Sequence, residues 1–245
     1  MFQTPPRKKA DTDILVSCLE ETTPLPQQVE RVSGPKGSWF PDNAVCSVIE
    51  NVLTAPECEA IIQLAEKEGF EPALLNVGGG RQIYAPDTRN SKRAIIDDKR
   101  FSECIFKRIQ HLLPTSNHVG FQAVGINERV RILRYEPGDE FKPHCDGSYA
   151  RPDGSQVSLW TVMIYLNHGF EGGSTLFHST EHVADDDDTA VVAIVPKSGS
   201  VLLFDHSLYH EGQKVLQGTK YAIRTDMMFQ KSMPTLEERM DELND

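Results

Sequence analysis

Residues 134–150, RYEPGDEFKPHCDGSYA, place His144 and Asp146 two apart in a stretch that otherwise alternates like a strand. Residues i and i+2 of an extended strand project to one face, so an imidazole and a carboxylate stand side by side there. That is half of a metal site. Among 8 His and 36 acidic residues one such pair arises readily by accident, so the reading depends on a further ligand elsewhere.

Around this stretch, from about residue 123, the chain runs through short β-like segments: ERVRILRYEP, SLWTVMIYLN, STLFHS, VVAIVP, GSVLLFDH and KYAIRTDMMF. Turn residues separate them, the pattern of a sandwich, barrel or jelly roll. Two helices are expected earlier. The first opens with a Thr54–Glu57 capping box, carries Ile61, Leu64 and Ala65 as its stripe and stops at Gly69. The second follows Asp97 and Asp98, buries Phe101, Cys104, Ile105 and Leu112, and ends at Pro114. Helices before strands give an α+β order with the chemistry on the β part.

The whole chain bounds the rest. Its 245 residues suit one sizeable domain, expected over 41–232 between a flexible arm (1–40) and an acidic tail (233–245). The net charge of −11 argues against a nucleic-acid partner, which calls for clustered Lys and Arg. Five widely spaced Cys without a C-x-x-C pair fit reduced thiols. No apolar run reaches the length of a membrane helix, and none of signal-peptide length follows Met1. A cytoplasmic or nuclear protein is expected, with PRKK at 6–9 a weak nuclear address. The run Asp185–Asp188 reads as a solvated loop, since the alternating ligands of a calcium loop are missing.

A second half of the metal site is offered by VLLFDHSLYHEG, where His206 and His210, four apart, share a face if the strand stays regular. Two His and one carboxylate leave three positions open, as in the facial triad of non-haem Fe(II) oxygenases. Further on, Lys220, Ala222 and Arg224 share one face of the last strand and Tyr221 and Ile223 the other. Turned inward, these cations require an anionic ligand; turned outward, they are ordinary surface charges.

Taken together, H-x-D, a distal His and a basic residue ten positions later, set within RYEPGDEFKPHCDGS, LWTVMIYLNHGFEGGSTLF and HEGQKVLQGTKYAIRTDMMF, resemble the 2-oxoglutarate- and Fe(II)-dependent dioxygenases, specifically the prolyl 4-hydroxylase-like branch, over about residues 45–230. The resemblance implies a double-stranded β-helix (jelly-roll) core with N-terminal supporting helices. It implies Fe(II) held by His144, Asp146 and His210, and Lys220 paired with the distal carboxylate of 2-oxoglutarate. Tyr165 would hydrogen-bond that carboxylate, and Tyr135 would face the metal-binding end. His206 matches no ligand and becomes structural. Arg224 would line the substrate side or support Asp146, while Arg89, Lys92 and Arg93, in a loop closing over the site, would meet a peptide or acidic substrate. Cys145, Trp160 and Phe204 are expected to pack, and Gly172 and Gly173 to form a turn.

The implied reaction couples oxidation of 2-oxoglutarate by O2, giving succinate and CO2, to hydroxylation of an unactivated C–H bond, with ascorbate as helper. A peptidyl proline leads as substrate, and a small molecule stays open. A cupin-like metalloenzyme would share the barrel and triad without needing the basic residue at 220. A catalytically inactive interaction module would have no use for the intact set. Nothing in the sequence speaks to oligomeric state.

Overall fold

A computed structural model describes residues 14–20, 25–33, 44–77, 81–115, 118–178 and 190–232. Helix α1 (Ala55–Glu68) begins with the complete capping box, Thr54 accepting from the Glu57 N–H and Glu57 from the Thr54 N–H, and Gly69 closes it at φ 84°. Helix α2 (Lys99–Ile109) is capped by Asp98, which accepts the Phe101 N–H, and a 3-10 turn (Gln110–Leu112) carries the chain toward Pro114. Its buried face is Phe101, Ser102, Ile105, Arg108 and Ile109. Cys104 and Leu112, expected there, are only half-buried. Arg108 is buried because it reaches α1 and forms a two-pronged pair with the buried Glu57, at 2.7 and 3.0 Å.

The longer strands are β1 (Cys46–Ile49), β2 (Lys92–Asp97), β3 (Phe121–Ile126), β4 (Arg129–Tyr135), β5 (Phe141–His144), β6 (Val157–Tyr165), β7 (Thr175–His178), β8 (Ala190–Ile194), β9 (Val201–Asp205), β10 (His210–Gly212) and β11 (Lys220–Lys231). A nine-stranded sheet runs Val29–Arg31, β1, β9, β6, β11, β4, β2, Glu71–Pro72, with β3 also paired to β11. A four-stranded sheet runs β8, β7, β10, β5. From β4 onward the chain passes back and forth between the two sheets, which is the expected double-stranded β-helix; the two helices only back it.

Antiparallel partners share a face, so the register assigns every side chain of the large sheet. Its outer face carries Ile49, Val201, Leu203, Val162, Ile164, Ile223, Ile132 and Ala94. These form one core with Ile61, Ala65, Phe101, Ile105 and Ile109 of the helices. The inner face carries Thr161, Met163, Tyr165, Lys220, Ala222, Arg224, Asp226, Arg131, Leu133 and Tyr135, opposite the small sheet.

The stretch expected as a flexible arm is docked wherever it is described. Leu15 is fully buried in the helix-backed core, and the Leu15 and Val16 N–H groups donate to Asp98. The carboxylate that caps α2 thus also anchors the short apolar run ILVSCL, and Val29–Arg31 extends the sheet beside β1. The Asp185–Asp188 loop and the acidic tail lie outside the described residues. Among the described residues no helix is long and apolar enough to cross a membrane.

Candidate metal centre and anion pocket

Strands β5 and β10 are neighbours in the small sheet, and their register sets His144 directly opposite His210. The ring centroids lie 4.4 Å apart. Asp146 joins them differently from the strand geometry that the H-x-D spacing suggests, because β5 ends at His144. Its N–H donates to the His206 carbonyl at 3.0 Å, and this turn brings its carboxylate to 3.9 Å from His144 Nε2 and 3.8 Å from His210 Nε2. Among the described residues these three are the one group of His, Cys, Asp or Glu whose ligand atoms converge this closely.

The donor set suits a divalent metal. Each imidazole donates through Nδ1 to a backbone carbonyl two residues before it, His144 to Lys142 and His210 to Leu208, both at 2.8 Å. That fixes the tautomer and leaves the Nε2 lone pairs aimed at Asp146. Burial, reinforced by the neighbouring His210, pushes His144 down to about 3, and burial lowers His210 too, so both are neutral donors at ordinary pH. Burial alone would raise Asp146. Arg224, the two imidazoles and the Thr161 hydroxyl outweigh it and hold the carboxylate ionised well below its usual range. Arg224 Nη2 sits 3.1 Å from Oδ1, and Thr161 Oγ1 donates to Oδ2.

His206 is not a third histidine ligand. β9 stops at Asp205, a turn follows, and His210 starts a strand of the other sheet, so the two histidines do not share a strand face. The His206 backbone bridges instead, donating to Leu159 and accepting from Asp146, while its ring lies 3.5 Å from Asp226. Cys145, expected to pack, is exposed, since the turn past β5 points it outward. Trp160 and Phe204 are fully buried as expected, and Phe204 sits edge-on to His210.

Deeper on the inner face, Lys220 is register-paired with Tyr135. Its ammonium is buried, donates to the Gly173 carbonyl at 2.6 Å, and lies 5.2 and 5.6 Å from the ring centres of Tyr135 and Tyr165. Burial lowers its pKa to about 8. Among the described residues it has no carboxylate partner, so the pocket is built for an anion supplied from outside. Gly173 makes room: at φ 68°, an added Cβ would come within 2.9 Å of Phe170 and 3.3 Å of the Lys220 side chain. The Tyr165 hydroxyl is hydrogen-bonded to Thr175 at 2.8 Å. The Tyr135 hydroxyl reaches toward Gly212 on β10, two residues past His210.

Arg224, expected on the substrate side or behind Asp146, takes the second place, pairing with both Asp146 and Asp226 at 3.1 Å. Arg89 lies 4.5 Å over the Phe141 ring, which stacks on His144 at 3.6 Å. Arg93 is buried rather than in a solvated loop, held by Glu71 and Gln82. Lys92 points away on the alternate face and pairs with Glu136 at 2.5 Å. Thr161, Asp226 and Arg131 were not singled out from the sequence. Strand parity was the available signal: Thr161 alternates with Tyr165, and Asp226 with Lys220 and Arg224.

Comparison with known proteins agrees with this geometry. A family model described as the 2OG-Fe(II) oxygenase superfamily matches residues 130–225. Probable prolyl 4-hydroxylase 10 of Arabidopsis thaliana is 27% identical over 208 residues, 76% of this chain and 68% of its own. Probable prolyl 4-hydroxylase 8 of the same plant is 28% identical over 211 residues, with the same coverage. A Trichoplax adhaerens prolyl hydroxylase, solved in complex with a hypoxia inducible factor oxygen degradation domain peptide fragment, shares the fold. Its TM-score is 0.54 over 82% of this chain and 87% of that one, at 21% identity. The matched segment contains His144, Asp146, His210, Lys220 and Arg224, and over that segment the chain is similar to the 2OG-Fe(II) oxygenase superfamily, whose members use Fe(II), 2-oxoglutarate and O2.

Proposed function

We propose that this oxygenase hydroxylates a prolyl residue of a peptide or protein, with His144, Asp146 and His210 as the iron ligands and Lys220 as the partner of the cosubstrate's distal carboxylate. The observation that carries the site assignment is the pairing of two neutral, carbonyl-anchored imidazoles and a fixed carboxylate with a buried ammonium that lacks a counter-ion among the described residues. The prolyl assignment draws on the similarity to the plant prolyl 4-hydroxylases.

Bound iron with 2-oxoglutarate supplies the oxidising chemistry, one oxygen atom of O2 leaving in succinate and the other entering the substrate C–H bond. The protein's task is positioning. His144, Asp146 and His210 would hold the metal, and as three ligands they would leave further positions for cosubstrate and oxygen. The carbonyl acceptors at Lys142 and Leu208 hold the rings, and Arg224 and Thr161 hold the Asp146 carboxylate, so little reorganisation is left for binding. Lys220, desolvated beside Tyr135 and Tyr165, anchors the far end of the cosubstrate and sets its register on the metal. A cupin-like reading without 2-oxoglutarate leaves that buried ammonium unexplained.

The test is succinate release from 2-oxoglutarate by Fe(II)-loaded protein with ascorbate and O2, with proline peptides and their alanine counterparts, beside Lys220→Ala. Proline-dependent succinate that disappears in the variant is expected. Turnover equal on the two peptide sets would remove the prolyl assignment, and full turnover by Lys220→Ala would remove the cosubstrate assignment.

A further inference from the structure

Along β4, Arg129, Arg131, Leu133 and Tyr135 alternate onto the inner face. The register sets Asp97 opposite Arg129, and Ile95 on one side and Arg224 on the other opposite Arg131. Arg129 therefore receives a carboxylate of its own, a two-pronged pair with Asp97 at 2.8 and 2.9 Å. Arg131, one step deeper, has only a longer and shared one. Its Nη1 is shielded from solvent and makes no hydrogen bond, and the nearest carboxylate, Asp226, lies at 3.6 Å. That carboxylate is shared, with Arg224 at 3.1 Å and the His206 ring at 3.5 Å.

The imbalance extends over the cavity. Arg93 is offset by Glu71, but Arg89 rests on the Phe141 ring and donates to the Ser91 hydroxyl, with no ion pair among the described residues. The Phe141 ring beneath Arg89 stacks on His144, which places the guanidinium at the same site. Four cations, Arg89, Arg131, Arg224 and Lys220, thus stand against two carboxylates, Asp146 and Asp226. A divalent metal and a dianionic 2-oxoglutarate cancel each other, so loading both leaves two positive charges uncompensated. Lys220 is met by the cosubstrate, which makes Arg131 and Arg89 the surplus. Burial pulls Arg131 down to about 10, as for a cation shielded without a full partner. Retaining a partly buried guanidinium whose single carboxylate is shared with two other groups is costly unless a ligand completes it.

We infer that Arg131 receives a carboxylate carried by the substrate itself, so that the enzyme acts on a residue flanked by Asp or Glu. The guanidinium fork suits a planar carboxylate, to which it donates two parallel hydrogen bonds where an amide offers only one oxygen. This rests on the oxygenase reading of the site, and it adds the substrate class.

The experiment uses the full chain with Mn(II) and 2-oxoglutarate in the absence of O2, so that binding is read without turnover. Four fluorescent peptides on one backbone carry proline or alanine at the centre and Asp or Asn beside it, and binding is followed by polarisation. The Asp peptide is expected to bind at least about tenfold more tightly than the Asn peptide. The preference is expected to collapse in Arg131→Gln, to weaken in Arg131→Lys, which keeps charge but not the fork, and to persist in Arg129→Gln. An unchanged 2-oxoglutarate-induced melting shift in Arg131→Gln establishes that fold and cosubstrate pocket survive; if that variant does not fold, Arg131→Lys and the wild-type comparison carry the test. Equal or absent binding of the Asp and Asn peptides to wild type overturns the inference, as does an Asp preference that persists in folded Arg131→Gln. An Asp preference indifferent to proline keeps the carboxylate receptor and overturns the prolyl assignment; a proline preference indifferent to Asp does the reverse.

Discussion

The two faces of the large sheet are made by alternate residues of the same strands, yet they are built of opposite materials. On β4 the outward residue Ile132 is fully buried against helix-backed apolar side chains, while its neighbour Arg131 turns a guanidinium into the barrel. On β6 and β11 the same contrast sets Val162 beside Thr161 and Ile223 beside Arg224. The outer face holds the domain together by removing apolar area from water. The inner face replaces part of that apolar area with charged groups, Arg131, Lys220, Arg224 and Asp226. Adjacent residues on one strand should therefore fail in different ways when substituted.

The largest effect belongs to the inner face. Asp146→Ala removes the only carboxylate of the triad and leaves Arg224 facing two histidines, so turnover should fall below detection and the Mn(II)-induced melting shift should vanish. Normal turnover by this variant would falsify the metal assignment. Next comes the outer face: Ile132→Ala should destabilise the fold by about 2–5 kcal/mol in denaturant titration, yet leave the 2-oxoglutarate affinity of the folded fraction unchanged. Loss of that affinity would blur the division between the faces.

A smaller effect is expected at Thr161→Val, which keeps the side-chain shape and deletes the hydroxyl that donates to Asp146. Metal affinity should fall by about 10–100-fold with little change in melting temperature. Isothermal titration with Mn(II) reads the first quantity, and an unchanged affinity would mean that Arg224 alone orients the carboxylate.

The pH dependence sharpens the comparison further, because Lys220 is the inner-face cation that burial brings nearest to neutral pH, with Arg131 next at about 10. Burial lowers Lys220 from 10.5 to about 8. Below pH 8 both folded and unfolded chains carry the proton and the burial penalty is fully present. Between 8 and 10.5 the unfolded chain binds more protons, so this group makes the apo protein more stable as pH rises through that window. Cosubstrate binding runs the other way, since the ammonium is the form that pairs with a carboxylate. Affinity for 2-oxoglutarate should weaken by up to about tenfold per pH unit above 8, and a titration series in Lys220→Ala should be flat in this range. An equally steep wild-type-like profile in the variant would assign the titration to another group.

Much of this was legible beforehand wherever the signal is local. The Thr54–Glu57 box, the Gly69 stop and the Asp98 cap are short-range hydrogen-bond chemistry and fall where the residues place them. The parity of β11 likewise put Lys220, Ala222 and Arg224 on one face. Long-range docking was harder to read. Leu15 sits in a run too short to be an element, and it is ordered by a carboxylate 83 residues away. His206 and His210 seemed equivalent by spacing, and only the turn after Asp205 separates them into different sheets.

By itself the sequence determined the ligand types, their order along the chain, and the strand parity that turns them inward, because these depend on side-chain chemistry and a two-residue repeat. The tertiary structure alone decided that Asp146 reaches the two histidines through a turn rather than along a strand, that Arg224 pairs with Asp146, and that Arg129 has a carboxylate to itself while Arg131 shares one. Each of these depends on which strands lie side by side and in what register, and register is set by the packing of the whole barrel rather than by any one segment.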